Sequence, residues 1–219
     1  MRPGTGYRRP VPNDRRLERL LRCLLGLVLL GVGLGLIVSA DLGVAPWDVL
    51  HQGLSGRLGI TIGTASIGVG VVVLLGWIPL RERPGVGTVL NVFVIGATMD
   101  LTLAVLEDPD AMWLRVAALV LGVWLWGPGS GLYLGATMGS GPRDGLMTGL
   151  ARRGLRVGPV RSGIEVVALV VGFLLGGTVG VGTVLFAVGV GPNVAWWLPR
   201  LDMRGGTPRR RRAPRPADV

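Results

Sequence analysis

Two carboxylates stand at matched places in this chain. Asp48 closes the run Gly43-Val44-Ala45-Pro46-Trp47-Asp48, and Asp144 closes Gly139-Ser140-Gly141-Pro142-Arg143-Asp144. A proline suits the first helical turn, where its missing N–H has no intrahelical role, so each aspartate falls at the third helical position. There it meets unpaired backbone N–H groups at the positive end of the helix dipole. One reading is a cap, in which each carboxylate satisfies its own helix start. The other is an ion or substrate site, built where a broken backbone and a helix end meet inside a membrane. His51, the only histidine, follows Asp48 by three residues on the same helix face, and such a pair could relay protons near neutral pH. The second motif carries Met147 in its place, and a histidine at the outer membrane surface is the plainer alternative.

Other polar residues fall within apolar runs. Asp100 and Asn91 share one run, and Glu165 lies early in another. Ionisable groups in a membrane are functional suspects because burying them is costly. Arg161 stands four residues before Glu165, which suggests a local ion pair; Asp100 has no such neighbour and is read either as a bundle-lining residue or as a polar contact near a helix end. There is no nucleophile elbow, zinc-protease helix or phosphate loop, and one histidine with one cysteine cannot furnish a metal set. The expectation is a protein that is not an enzyme and holds no cofactor or metal. Cys23 has no partner in the chain for a disulfide.

The elements that must position these groups are membrane helices. The chain is 49% hydrophobic with a mean hydropathy of +0.55, and apolar runs lie at about 20–38, 60–80, 85–106, 112–134, 160–178 and 180–199. Each is long enough to cross a hydrocarbon layer of about 30 Å. All 23 basic residues are Arg, and much of the net charge of +10 sits in the ends of the chain. That pattern suits topology and anionic lipid head groups, not nucleic acid.

The runs form two copies of one pattern. Ala40, Gly43, Pro46, Asp48, Leu50, Gly53, Leu54 and Arg57 recur as Ala136, Gly139, Pro142, Asp144, Leu146, Gly149, Leu150 and Arg153, and the hexapeptide starting at Gly85 recurs unchanged from Gly180. The first set is offset by 96 and the second by 95, so one deletion near Leu58 reconciles them. The first apolar run is preceded by arginines and ends in a signal-peptidase-like Val38-Ser39-Ala40, yet it shares glycines with 122–132, which argues for a retained helix. Between spans, Pro46 to Arg57 and Pro142 to Arg153 form elements roughly 17 Å long as helices, about half a membrane.

The expected fold is therefore an all-α membrane protein of about six transmembrane helices, in two inverted three-helix repeats, each with a short re-entrant or interfacial half-helix. The boundaries are a basic cytoplasmic tail at 1–19, repeats at 20–106 and 112–201, and a disordered Arg-rich cytoplasmic tail at 202–219. With both termini cytoplasmic, seven arginines outside the tails fall inside the cell (81, 83, 143, 152, 153, 156, 161) and two outside (57, 115). Gly31 with Gly35, Gly127 with Gly131 and Gly172 with Gly176 mark small-residue faces for helix packing, and a homodimer through such faces is conceivable. The tail run Arg209 to Arg212 would hold the C-terminus at the anionic leaflet.

The stretch Ala40 to Leu50, followed by Gly59-Ile60-Thr61-Ile62-Gly63-Thr64, resembles the bacterial YczE/YyaS/YitT family of integral membrane proteins, as do Gly141 to Met147 and Gly180 to Pro192. The likeness runs over about residues 17–201. It implies a multi-pass protein of the cytoplasmic membrane and brings no catalytic residues with it. The leading expectation is a small secondary transporter or permease, moving a solute or ion at the repeat interface. The rival is a membrane scaffold or regulator that acts through a partner.

Overall fold

The computed structural model describes residues 15–154 and 156–203, and every regular element among them is helical. The outer parts of both expected tails, including Arg209 to Arg212, lie outside the described residues. The helices are α1 (Arg16–Ser39), α2 (Pro46–Leu58), α3 (Ile62–Leu75), α4 (Trp77–Leu80), α5 (Val86–Val105), α6 (Met112–Gly135), α7 (Pro142–Arg152), α8 (Val157–Leu174) and α9 (Val181–Leu201). Five stretches are long and apolar enough to cross a membrane: α1, α3 continued through α4, α5, α6 and α9. The expected sixth span corresponds to α8, 18 residues long.

Two boundaries differ from the sequence reading by four residues, more than the others. α1 starts four residues before position 20, because its first-turn charges find partners: Glu18 pairs with Arg22 at 2.8 Å, and Arg19 donates to the carbonyls of Ala136 at 2.9 Å and Thr137 at 2.8 Å. α8 stops at Leu174, short of position 178, since Gly176 turns left-handed at φ +103°. Gly176 therefore ends the helix and meets no neighbour, while Gly172 alone of that pair serves packing, against Val49 and Leu50 of α2.

Small residues set the packing, as expected where lipid supplies no hydrophobic drive between helices. α1 and α6 run antiparallel, with Gly26 against Gly129 and Gly33 against Gly122. On its other flank α1 seats Gly31 and Gly35 against Thr98 and Thr102 of α5, while Gly127 and Gly131 of α6 receive Asn193, Trp197 and Leu201 of α9. Pro128 lacks the N–H that would bond the Trp124 carbonyl four residues back. Asn193 supplies that donor at 3.0 Å and bonds Val123 O at 2.8 Å as well. Ile37, Ala40, Val44, Val49, Leu119 and Val123 form one buried cluster, and Cys23, Leu27, Leu30, Tyr133 and Ala136 form a second. Outward-facing residues such as Val72, Val105, Trp113 and Val188 are apolar and exposed, the composition of a lipid-facing surface.

The two short helices enter by matching turns. Gly43 (φ +96°) and Gly139 (φ +136°) each take a conformation that a side chain disfavours. Each also lies against the chain: a Cβ would come within 2.7 Å of Gly180 Cα at Gly43 and 2.5 Å of Thr88 Oγ1 at Gly139. Next to them, Leu42 O accepts from Gly182 N at 2.7 Å and Met138 O from Gly87 N at 2.9 Å. The starts of α9 and α5 thus fix the starts of α2 and α7.

Candidate functional site

Those turns aim the N-terminal ends of α2 and α7 at each other. Trp47 and Arg143, the residues just after the two prolines, meet face to face, with the guanidinium carbon 4.4 Å from the indole centroid. Such a cation–π contact is worth roughly 0.5–2 kcal/mol depending on exposure. Trp77 holds the α7 end in place by donating its indole N–H to Pro142 O at 2.9 Å, and Thr88 donates to Ser140 O at 2.8 Å.

Around this junction lies a cavity of about 550 Å³. Pro46, Trp47 and His51 of α2 line it with Pro142, Arg143 and Asp144 of α7, and helices α1, α3, α5, α6, α8 and α9 complete its walls. The volume falls in the range of small-molecule sites. The lining is mostly apolar, with Leu34, Val69, Ile95, Phe186 and Val190 among its members, and Asn91 and Ser130 add uncharged polar groups.

Asp48 and His51 are both 1% exposed, with His51 Nδ1 at 3.0 Å from Asp48 Oδ1. An ionised carboxylate only accepts, so Nδ1 carries the hydrogen and Nε2 is left to accept a proton or donate one. Nε2 has no partner among the described residues. Trp126 Nε1 and Tyr133 Oη, two other buried atoms, also lack a hydrogen bond of ordinary geometry among the described residues, the Tyr133 hydroxyl having the Asn91 side chain beside it, and all three residues line the cavity. Buried polar atoms without partners are rare, and each costs about 1–3 kcal/mol. All three residues lie at one space.

Of the residues singled out by sequence, the structure brings His51, Asp144 and Glu165 to this cavity, with Asp48 behind His51, together with the motif residues Pro46 and Pro142; Gly43 and Gly139 form the turns behind them. Asp144 leans toward its own helix start, its Oδ2 at 3.4 Å from the place of a Cβ on Gly141. Glu165 accepts from Arg161 Nε at 3.0 Å, the expected local pair. Asp100 stands apart. Its carboxylate accepts from Gly63 N at 2.7 Å and from Thr61 Oγ1 at 2.5 Å, tying the start of α3 to α5. Sequence reasoning missed Arg143, Trp126 and Tyr133. For Arg143 a signal existed: it occupies the motif position held by Trp47 in the first copy.

Among the described residues no three His, Cys, Asp or Glu side chains cluster as a metal set. The chain is similar to a protein of Haemophilus influenzae described as uncharacterized, 44% identical over 80% of this chain and 81% of the relative. It is similar also to the uncharacterized membrane protein YczE of Bacillus subtilis, at 35% identity over 80% and 83%, and to the uncharacterized protein YyaS of the same organism, at 27% over 74% and 83%. No solved structure matches. Together with the apolar helices, these likenesses make it a multi-pass membrane protein. A family pattern fitted over residues 17–199 places it further: the chain belongs to DUF6198, a family of unknown function.

Proposed function

We propose that this protein is a small secondary transporter or permease of the bacterial cytoplasmic membrane, and that it moves a solute through the cavity between α2 and α7 by alternating access. In this reading α8 is the sixth span, both termini are cytoplasmic, and 20–106 and 112–201 are inverted repeats with α2 and α7 as re-entrant half-helices. Exchangeable contacts support it. At an offset of 96, Gly26 corresponds to Gly122 and Gly33 to Gly129, so the Gly26–Gly129 contact maps onto Gly33–Gly122. The Gly182–Leu42 hydrogen bond maps likewise onto Gly87–Met138.

The observation that carries the reading is where this exchange fails. Gly63 of α3 is pressed against Gly96 of α5, and a Cβ on Gly96 would lie 2.7 Å from the Gly63 carbonyl. Their counterparts at an offset of 95, Gly158 of α8 and Gly191 of α9, meet nothing within 4 Å, and α8 and α9 do not pack along one another. One side of the cavity is shut and the matching side is open. Exchange of the two arrangements would open the first side and shut the second, which is how repeat-built transporters expose one site to two faces. The unpartnered His51 Nε2 makes that residue the candidate proton carrier.

Cysteine cross-linking in native membranes tests this, with Cys23 replaced by Ser. Ile67→Cys with Gly96→Cys reports the shut α3–α5 side, and Gly158→Cys with Gly191→Cys reports the alternate state. Both pairs are expected to cross-link. A protein in which only the α3–α5 pair does so is static, and the transport reading fails in favour of a scaffold.

A further inference from the structure

We infer that the solute is an organic anion, a carboxylate carried on an apolar body, with Arg143 as the group that reads its charge. The inference rests on the transport reading of the same cavity and adds the chemistry of its ligand. Three ionisable groups of the cavity wall are already engaged: Arg161 and Glu165 with each other at 3.0 Å, and His51 with Asp48 behind it at 3.0 Å. Arg143 differs. It lies against the Trp47 ring, and among the described residues no carboxylate comes within ion-pair distance of it. Asp144, the remaining acid, turns back toward Gly141 over the start of its own helix, where backbone N–H groups favour a negative charge.

The Arg143 guanidinium thus lies between the N-terminal ends of two helices, each of which carries an aspartate in its first turn, and among the described residues it is the cation of this wall with no carboxylate in direct contact. The unmet hydrogen-bonding groups agree in kind. Trp126 Nε1 can only donate, Tyr133 Oη can donate, and a protonated His51 Nε2 would donate too. His51 and Tyr133 are 1% and 3% exposed, so water competes poorly for them, and Trp126 is half-buried. A carboxylate offers about four acceptor sites, enough for Arg143 together with these donors, and a planar guanidinium suits its geometry. The rest of the wall calls for an apolar body: Leu34, Ile95, Val190 and the Trp126–Phe186 edge-to-face pair, centroids 4.9 Å apart. An organic cation would meet the Arg143 guanidinium, and of the lining carboxylates Glu165 is already paired with Arg161 and Asp144 lies over its own helix start.

The test uses the full chain, purified in detergent, titrated with phenylacetate, phenethylamine and phenethyl alcohol, three probes of one shape and different charge. Intrinsic tryptophan fluorescence reports binding, since Trp47 and Trp126 line the cavity. Phenylacetate is expected to bind at least tenfold more tightly than the other two. Arg143→Gln should abolish that preference and Arg143→Lys should keep most of it, while Trp126→Phe and Tyr133→Phe weaken phenylacetate a fewfold. Thermal unfolding shows which variants are folded. Phenethylamine binding as tightly as phenylacetate, undiminished phenylacetate binding by folded Arg143→Gln, or no binding of phenylacetate at all overturns the inference. The Gly158/Gly191 cross-link needs no ligand, so the transport reading stands or falls separately.

Discussion

The α3–α5 side of the cavity and the α8–α9 side carry the same glycines and use them differently. Gly63 and Gly96 are clamped together, whereas Gly158 and Gly191 face open space. Close packing cannot be the property of the glycines alone. What differs is the latch. Asp100 of α5 accepts from Gly63 N and Thr61 Oγ1 across the shut side; at an offset of 95, the open side has Ala195 in place of Asp100 and Arg156 in place of Thr61. Glycines permit the approach, and a carboxylate on one side only holds it.

The largest expected effect breaks the comparison directly. In Gly63→Leu a Cβ would reach 2.5 Å from Asp100 Cγ and also strike the Gly96 carbonyl. Forcing side-chain volume into such a contact costs about 1–3 kcal/mol or more. Gly158→Leu, with nothing within 4 Å, should change stability by less than about 0.5 kcal/mol. Thermal unfolding of the two variants in detergent measures the contrast. Equal destabilisation would mean that the two sides do not differ.

Next in size is the pair of motif aspartates, alike in sequence and unlike in surroundings. Asp48→Ala leaves His51 Nδ1 buried without its acceptor, a loss of about 1–3 kcal/mol. Asp144→Ala removes a carboxylate that faces the cavity beside its own helix start, worth about 0.3–1 kcal/mol. Unfolding midpoints should therefore fall further for Asp48→Ala. The reverse order would show that the buried pair contributes less than its geometry indicates.

Much of this was legible in the sequence. The paired Gly-x-x-Pro-x-Asp runs give the start of both short helices, because proline and a left-handed glycine turn act locally. The Arg161–Glu165 pair was legible for the same reason, four residues apart on one helix. The asymmetry was not, since identical glycines at matched positions say nothing about which pair is closed. Nor was the role of Asp100, whose partners lie 37 and 39 residues away. Arg143 was hidden by its type: on a loop-to-helix junction it reads as a topology charge, and only the fold sets it over Trp47. Gly176 looked like a packing residue by its spacing from Gly172, but spacing identifies a face only while the helix continues.

Asp100 offers a way to sharpen the comparison. Asp100→Ala removes two hydrogen bonds from the shut side, and should cost about 1–2 kcal/mol in the described arrangement. If Asp100 is the latch, that loss shifts the balance toward the alternate state, and the Gly158→Cys/Gly191→Cys cross-link forms faster in this background. Phenylacetate affinity should change little, because Asp100 does not line the cavity. An unchanged cross-linking rate with lowered stability would make Asp100 a cap for α3 and nothing more.

The smallest expected effect on the fold lies on the open side. Arg161 and Glu165 form an i, i+4 pair whose side chains are 62% and 37% exposed, and pairs of that kind contribute about 0.3–0.5 kcal/mol. Glu165→Gln should thus leave the unfolding midpoint almost unmoved. Its effect on the cavity is larger in kind, because it frees Arg161 as a second cation in the wall that already holds Arg143. Phenylacetate binding should tighten a fewfold, and more at low salt than at high, since an exposed cation is screened. Unchanged or weaker phenylacetate binding in folded Glu165→Gln would mean that a cation freed at position 161 does not reach the ligand, and that the carboxylate is read at the α7 end alone or not by charge.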